Sequence, residues 1–396
     1  MTFLQYLKKC NFFYVFAFTF YLLDPFSYGY VFAYLLMTMM VLNKGFIANN
    51  LDRNFLFLFI FSFVYAIFYA FDLALGVQFI FIYALFPVGF YMLGKYFLNF
   101  NPKANNIFLL FYILGILYSL PAMLSVLGSI IADGFVVVER DVPMIWDGHI
   151  IPATNMASYF ALNMCIPSIL LVKFKKSTFF FKVISIAVFV LSIICILRLG
   201  SRTQISIMAI TFLVSLIYMI RKQSVSQNLV LFGFLFLVIN GLLGYVSFDK
   251  DSDVMSAFAG RMDSKKYGAA TAGGRTERWE KSLINLVEKP LGWKVEEFGF
   301  SHNLWFDVAR VAGTLAFFLL IIYTLRSFFQ IKKAIGFQPN NLLINLMFLS
   351  LGMSFYLLFF VEPIFDGYFT MFILFCFYMG SVNKYLENGR LQKSLQ

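Results

Sequence analysis

The stretch ILRLGSRTQISIMAITFLVSLIYMI, residues 196–220, decides the fold class of this chain. Its segment 207–220 carries no charge, and the apolar run FVLSIIC, residues 189–195, precedes it. Membrane-spanning helices need about 20 apolar residues, so such runs are typical of them. The same stretch holds Arg198 and Arg202, although a charged side chain at membrane depth costs about 2.5–3.5 kcal/mol on insertion scales. The stretch therefore indicates a membrane protein. It also raises the question of what role two arginines have at the end of a span.

Apolar runs of the same kind recur along the whole chain of 396 residues, which is 61% hydrophobic and 13% charged. A soluble domain carries about 25% charged residues. We expect an all-α polytopic membrane protein with about 12 transmembrane helices in a single transmembrane domain, residues 1–396. The predicted spans are roughly 8–23, 27–43, 54–71, 76–93, 106–130, 153–172, 179–197, 203–220, 228–247, 304–326, 342–360 and 364–382.

Two hydrophilic segments, 131–152 and 248–303, are long enough to be loops outside the membrane. If the N-terminus is cytoplasmic, both loops are external, and the cytoplasmic segments hold most lysines and arginines, with Asp52 and Glu387 as their only acids. This bias follows the positive-inside rule and predicts that both termini are cytoplasmic. Topology thus explains the net charge of +11, and no nucleic-acid partner is expected.

Arg198 and Arg202 then lie at a short external turn, where the charge bias does not call for cations. Residues four apart in a continuing helix lie on one face. One interpretation is that both side chains extend to the lipid headgroups. The other is that they bind an anion together with the N–H groups of a helix that begins near Ser201. The sequence leaves both interpretations open.

The loop 248–303 contains the segment ERWEKSLINLVEK, residues 277–289, which predicts a short amphipathic helix. We expect its apolar stripe to lie on the membrane-embedded body, and that stripe consists of Trp279, Leu283, Leu286 and Val287. Arg275 and Arg278 fall at the start of this helix. They are either ordinary solvated charges or ligands of an anion.

His302, one of only two histidines, directly precedes a predicted span in SHNLWFDVARVAG, residues 301–313. A histidine at the membrane boundary can accept a proton from a substrate hydroxyl, although a lone histidine is often structural. Asn303 adjoins it, and Arg310 follows within the next helix. Glu362 lies at the outer end of the last hairpin and is a functional candidate, with an ion pair to an arginine as the alternative.

Five short motifs occur in a fixed order: GHIIPATNMAS, which contains Asn155, then GSRTQIS, GGRTERW, EKPLGW and SHNLWFDVARVAG. In this order they resemble the motifs of the bacterial O-antigen ligase/polymerase superfamily, membrane glycosyltransferases that use polyprenyl-diphosphate-linked glycans. The resemblance implies an inverted cone of helices that opens sideways to lipid. It also implies metal-independent glycan transfer on the periplasmic side of the bacterial inner membrane.

The residue pattern and the resemblance together give the expected site. Guanidinium groups suit a diphosphate leaving group, which predicts that it is bound by Arg198, Arg202, Arg275, Arg278, Asn303 and Arg310. His302 is the expected general base, with Glu362 as the second candidate. No metal or cofactor is expected. The expected partners are an undecaprenyl-diphosphate-linked oligosaccharide, membrane lipid and a chain-length regulator protein.

The sequence leaves three alternative functions open. A polymerase would move the growing glycan onto a hydroxyl at the non-reducing end of the next lipid-linked repeat unit, whereas a ligase would move it onto lipid A–core. A transporter or flippase of lipid-linked glycans is the third. It predicts two related halves and charges at the bilayer midplane, whereas this sequence concentrates its unusual residues at one face. We therefore rank the polymerase first.

Overall fold

The computed structural model describes residues 2–100, 102–135, 140–172, 179–245 and 274–394. Within these ranges the chain is almost entirely helical. The regular strands described are two short ones, β1 (Val142–Pro143) and β2 (Ile150–Ile151), which pair antiparallel. The predicted all-α fold class is confirmed.

The helices follow one another with short connections. Before the strands come α1 (Phe3–Lys9), α2 (Phe12–Leu23), α3 (Gly29–Leu42), α4 (Phe46–Asn50), α5 (Arg53–Tyr69), α6 (Gln78–Leu98) and α7 (Ala104–Asp133). After them come α8 (Ala153–Ser158), α9 (Ile166–Leu170), α10 (Phe179–Leu199), α11 (Arg202–Ile220) and α12 (Val225–Tyr245). The last are α13 (Arg275–Glu288), α14 (Leu304–Phe337), α15 (Leu342–Val361), α16 (Ile364–Gly367) and α17 (Phe369–Ser394).

Among the described residues, seven helices are long and apolar enough to cross a membrane. They are α6, α7, α10, α11, α14, α15 and α17, and three shorter apolar helices, α2, α3 and α5, accompany them. The chain is therefore a multi-pass membrane protein. The expected total of about 12 spans stays a prediction.

The chain forms two compact units. The first consists of Met1–Tyr118 with Ala270–Gln396, and the second is Ser119–Ala269. In the first unit, α17 packs along α6 at close backbone distance. A Cβ atom on Gly94 would strike the carbonyl oxygen of Phe377, and one on Gly380 would strike that of Tyr91. Small residues of this kind let membrane helices approach closely, so these glycines set the spacing of the core.

One end of this core contains a buried polar cluster around Lys95, which we call the Lys95 cluster. The Lys95 ammonium contacts Asp52 at 2.6 Å and Glu387 at 2.7 Å. The Asp52 carboxylate also accepts the Tyr91 hydroxyl, and Asn383 donates to that hydroxyl in turn. The cluster joins the start of α5 to α6 and α17. It brings together the only acids of the predicted cytoplasmic segments.

In the second unit, the span predicted at 153–172 is not one continuous helix. The chain forms α8, then a 3-10 turn at Asn163–Cys165, and then α9. Pro167 lies at the start of α9, and a proline inside a continuing helix lacks an N–H donor and clashes with the preceding turn. The Asn163 side chain donates to Ser119 and Ser192, which satisfies a buried amide beside the break.

Helix α14 is interrupted at Gly313, which has φ 70° and ψ −175°. The segment PLGW, residues 290–293, replaces the missing helical hydrogen bonds. The Thr314 amide donates to the Pro290 carbonyl, and the Trp293 amide donates to the Arg310 carbonyl, each at 2.9 Å. A Cβ atom on Gly313 would collide with the Pro290 carbonyl oxygen, so the break depends on glycine. This junction fixes the segment after α13 against the first turns of α14.

Candidate functional site

Helix α13 carries the first part of the candidate site, and it begins at Arg275, directly after Gly274 in a left-handed conformation. The amphipathic helix predicted at 277–289 is confirmed, but its predicted contact face is wrong in part. Leu283 and Val287 are exposed, and the buried side chains are Ser282 and Asn285. The physical reason is that α13 faces a polar turn, to which it is joined by hydrogen bonds.

That turn is Ser301–Asn303, and its first residue is held at every polar atom. The Ser301 amide donates to Asp307 at 2.7 Å, and its carbonyl accepts the indole N–H of Trp279 at 2.9 Å. Its hydroxyl lies 2.7 Å from that of Ser282. Asn303 begins α14 as its N-cap, and its side chain accepts the Phe306 amide. The two residues that flank His302 are therefore both fixed.

His302 itself has φ 53°, a left-handed conformation that is uncommon for a residue other than glycine. Its side chain is 31% exposed. Its Nδ1 atom has no hydrogen-bond partner among the described residues. An imidazole that is held at its backbone and partly open to its surroundings can exchange a proton with a bound molecule.

Arg275, His302 and Glu362 meet at this turn, and we call them the His302 cluster. Glu362 is buried at the C-terminal end of α15. Its Oε1 lies 3.5 Å from the Arg275 guanidinium, and its Oε2 lies 4.0 Å from His302 Nδ1. Glu362 therefore forms an ion pair with an arginine, as the alternative interpretation expected. The same carboxylate also faces the imidazole of His302.

Burial, together with the positive charges of Arg275 and Arg278, lowers the pKa of His302 to about 4. The neutral imidazole is thus the form present at neutral pH. Because Arg275 and Arg278 begin the same helix, an anion bound there would oppose the two charges that keep the pKa low.

The other predicted site residues of the first unit have protein partners. Arg278 donates to the Phe300 carbonyl at 3.0 Å, and Asn303 donates to that of Phe360 at 3.4 Å. Arg310 lies over the Phe300 ring and binds Asp366 at 2.8 Å. Burial raises the pKa of Asp366, and Arg310 opposes that rise. These contacts place Arg310 in a structural ion pair beside the His302 cluster.

Arg198 and Arg202 belong to the second unit, which is described by itself. Arg198 is 1% exposed, and it donates to the Gly134 carbonyl at 3.3 Å and to the Ser129 hydroxyl at 3.1 Å. Its side chain is thus packed against protein, which excludes the headgroup interpretation for this residue. Arg202 is the first residue of α11 and is partly buried.

An apolar groove of about 540 Å³ opens beside the His302 cluster. Trp279 and Asn303 lie at one end of it, and its walls include Phe317 and Phe328 of α14 and Phe360 of α15. The groove thus joins the boundary at which α14 begins to the apolar length of that helix. A molecule with a polar head and a long apolar chain would fit such a path.

Sequence reasoning did not include Asp307, which is fully buried and accepts both amides around His302. One signal was present: an acid in the first turn of a helix is favoured by the helix dipole. That signal predicts capping, and it does not predict contact with a histidine turn.

No protein-family model matches this chain, and no curated protein matches it either.

Proposed function

We propose that the chain is a membrane glycosyltransferase that polymerises undecaprenyl-diphosphate-linked O-antigen repeat units. The observation that carries the proposal is the meeting of Arg275, His302 and Glu362 directly before a membrane-spanning helix, beside an apolar groove. A lipid-linked diphosphate donor needs a cation for its leaving group, a base for the acceptor hydroxyl, and an apolar path for its chain.

Arg275 is the main ligand of the diphosphate in this account. Its described partner is Glu362, at 3.5 Å, and a guanidinium has five N–H donors in a planar fork. Such a fork binds phosphate oxygens bidentately and stabilises the charge that develops on a leaving group. Arg278 is a weaker candidate because it already donates to Phe300, and Arg310 is weaker still because Asp366 holds it.

Arg202 lies in the second unit, and its assignment to the diphosphate stays a prediction from the motif GSRTQIS alone. Arg198 takes a supporting role, because its guanidinium is buried against Ser129 and Gly134.

His302 is the general base. The acceptor hydroxyl oxygen attacks the anomeric carbon of the donor sugar, and its proton passes to the imidazole. The bond between that carbon and the phosphate oxygen breaks, and undecaprenyl diphosphate leaves with the electron pair. The products are the extended glycan, still linked to its lipid, and the free lipid diphosphate.

Glu362 assists His302 in two ways, through its tautomer and through its charge. A carboxylate facing Nδ1 favours the tautomer with the proton on Nδ1, which leaves Nε2 to accept the acceptor proton. The separation of 4.0 Å is too long for a hydrogen bond, so its contribution is electrostatic. Its charge stabilises the imidazolium that forms in the transition state.

Donor binding and base strength are linked in this geometry. Arg275 and Arg278 lower the pKa of His302, and a bound diphosphate would neutralise part of their effect. The imidazole therefore becomes a stronger base once the donor is in place. The lipid chain of that donor would occupy the groove between α14 and α15, with its head at the end marked by Trp279 and Asn303.

The reaction takes place on the periplasmic side of the bacterial inner membrane, with about 12 spans, cytoplasmic termini and external loops at 131–152 and 248–303. Single cysteines test this orientation, since the four native cysteines are buried and can be replaced with alanine. Glu280→Cys is expected to react with an impermeant thiol reagent in intact spheroplasts, and Lys44→Cys only after lysis. Both positions are exposed. The reverse pattern would overturn the orientation.

The lipopolysaccharide pattern of a strain lacking this chain tests the function. Loss of a polymerase leaves lipid A–core with a single repeat unit, because ligation continues. Loss of a ligase leaves bare core and accumulates lipid-linked polymer, and loss of a flippase leaves lipid-linked single units in the inner leaflet. Either of the latter patterns would contradict the proposed polymerase. Dependence of chain length on a separate membrane protein would identify the expected regulator.

A further inference from the structure

The carboxylate of Asp307 lies beneath the turn that presents His302. One of its oxygens accepts the Ser301 amide at 2.7 Å, and the other accepts the Asn303 amide at 3.1 Å. The side chain is fully buried, and these two bonds straddle His302 in the chain. The residue between them adopts the left-handed conformation with φ 53°.

This arrangement goes beyond ordinary helix capping. Asn303 already accepts the Phe306 amide as the N-cap of α14. A capping box adds one bond, from an acidic or amide side chain back to the N-cap amide. Asp307 makes that bond and a second one to Ser301, two residues earlier. The second bond does nothing for the helix, but it closes the turn around His302.

We propose that Asp307 is a positioning residue, whose carboxylate fixes the Ser301–Asn303 turn and thereby holds the His302 imidazole against Arg275 and Glu362. This inference rests on the proposed function, in which His302 accepts the acceptor proton. Without both bonds, the strained backbone at His302 relaxes, and the imidazole leaves its partly buried position. A misplacement of about 1 Å can reduce turnover about 100-fold.

A titration of His302 tests the proposal without reference to activity. The chain has two histidines, so a His149→Gln background leaves one, and 13C-labelled histidine then gives a single NMR signal in nanodiscs. The charged groups that face the imidazole are Arg275 and Arg278 of α13 and Glu362 after α15, whereas Asp307 contacts only the backbone of the turn. In this background the midpoint is expected near the pKa of about 4.

Asp307→Asn presents an amide to one of the two backbone N–H groups and is expected to open the turn. The His302 midpoint then rises by at least about one unit toward its ordinary value of about 6.5. Turnover falls about 10- to 100-fold, while the KM for the acceptor changes less than threefold. Asp307→Glu keeps the charge but moves the carboxylate oxygens. This variant is expected to fold, but the midpoint of its His302 titration should remain raised.

Asp366→Asn is the matched control, because it removes a partly buried carboxylate that binds Arg310 rather than the turn. It is expected to leave the His302 midpoint unchanged. If folded Asp307→Asn and Asp307→Glu both titrate as their parent does, the positioning role is overturned. If Asp307→Asn does not fold, Asp307→Glu alone decides. A raised midpoint with fully active His302→Gln would uphold the positioning and contradict the proposed function instead.

Discussion

The Lys95 cluster and the His302 cluster are both built from charged side chains at the ends of helices, yet they differ in how completely their polar groups are paired. Lys95 is buried between two carboxylates, and Asp52 also accepts two amides of α5 and the Tyr91 hydroxyl. In the His302 cluster, the imidazole is partly exposed and its Nδ1 atom has no hydrogen-bond partner among the described residues.

The difference separates a structural network from a site. In the Lys95 cluster, a buried cation and two carboxylates join three helices. These charged groups are already paired with one another, so a ligand would gain little by binding there. The His302 cluster holds its backbone just as firmly, through Ser301 and Asp307, but leaves its reactive atoms at long distances of 3.5 and 4.0 Å. A firmly held backbone that presents a partly exposed imidazole is the preorganised arrangement that a binding site requires.

The largest effect is expected from a substitution that breaks the Lys95 cluster. Lys95→Met leaves Asp52 and Glu387 without their shared cation, and removal of one partner of a buried pair costs about 3–5 kcal/mol. We expect the folding equilibrium to shift by roughly 100- to 5,000-fold. Thermal unfolding of the purified protein, followed by size-exclusion chromatography in detergent, measures this. Lys332→Met, at an exposed position of α14, is the control and should leave unfolding unchanged.

The next effect lies in the His302 cluster and concerns turnover. Charge-assisted hydrogen bonds contribute about 1.5–3 kcal/mol, so Arg275→Ala should reduce the rate of polymerisation by at least about tenfold. Arg275→Lys should recover only part of the loss, because an ammonium cannot reproduce the planar fork.

Lys281→Gln is the matched control for Arg275, since it removes an exposed cation from the same helix, paired with Glu277 on the solvent side. It should leave turnover unchanged. Full activity of Arg275→Ala at normal membrane abundance would remove this residue from the diphosphate site.

The smallest expected effect concerns the pH at which the activity of the His302 cluster is lost. The neutral form of His302 is active, so activity is lost as pH falls through its pKa. In the free enzyme that pKa is about 4, and kcat/KM should fall only near that value. A bound diphosphate opposes Arg275 and Arg278, so kcat, which reports the complex, should fall at a higher pH by about one unit. Coincident acid limbs would contradict the link between donor binding and base strength.

The sequence predicted much of this architecture, because apolar periodicity and capping act locally. It predicted α13 to within two residues at its start, and it predicted His302 and Asn303 directly before a span. The lysines of the predicted cytoplasmic segments, Lys95 among them, served only to set the orientation, whereas the structure buries Lys95 between two acids distant in the chain. Contacts of that kind depend on which helices become neighbours, and periodicity carries no such information.

Two further differences have local causes that only packing decides. Helix α7 continues to Asp133, three residues beyond the predicted end of its span at residue 130. Asp307 lies in the first turn of α14, where the helix dipole favours an acid, but its bond to Ser301 depends on the left-handed turn at His302. A histidine in that conformation cannot be foreseen from residue type.

The most direct test of the account is the polymerisation rate of His302→Gln, with purified lipid-linked repeat unit and protein in nanodiscs. Glutamine can hydrogen-bond to the acceptor but cannot accept its proton, so the account predicts a loss of roughly 100- to 10,000-fold. The unfolding temperature should stay close to that of the native protein, in contrast to Lys95→Met. Near-native turnover with an unchanged acid limb would show that His302 only positions the acceptor, and would contradict the account.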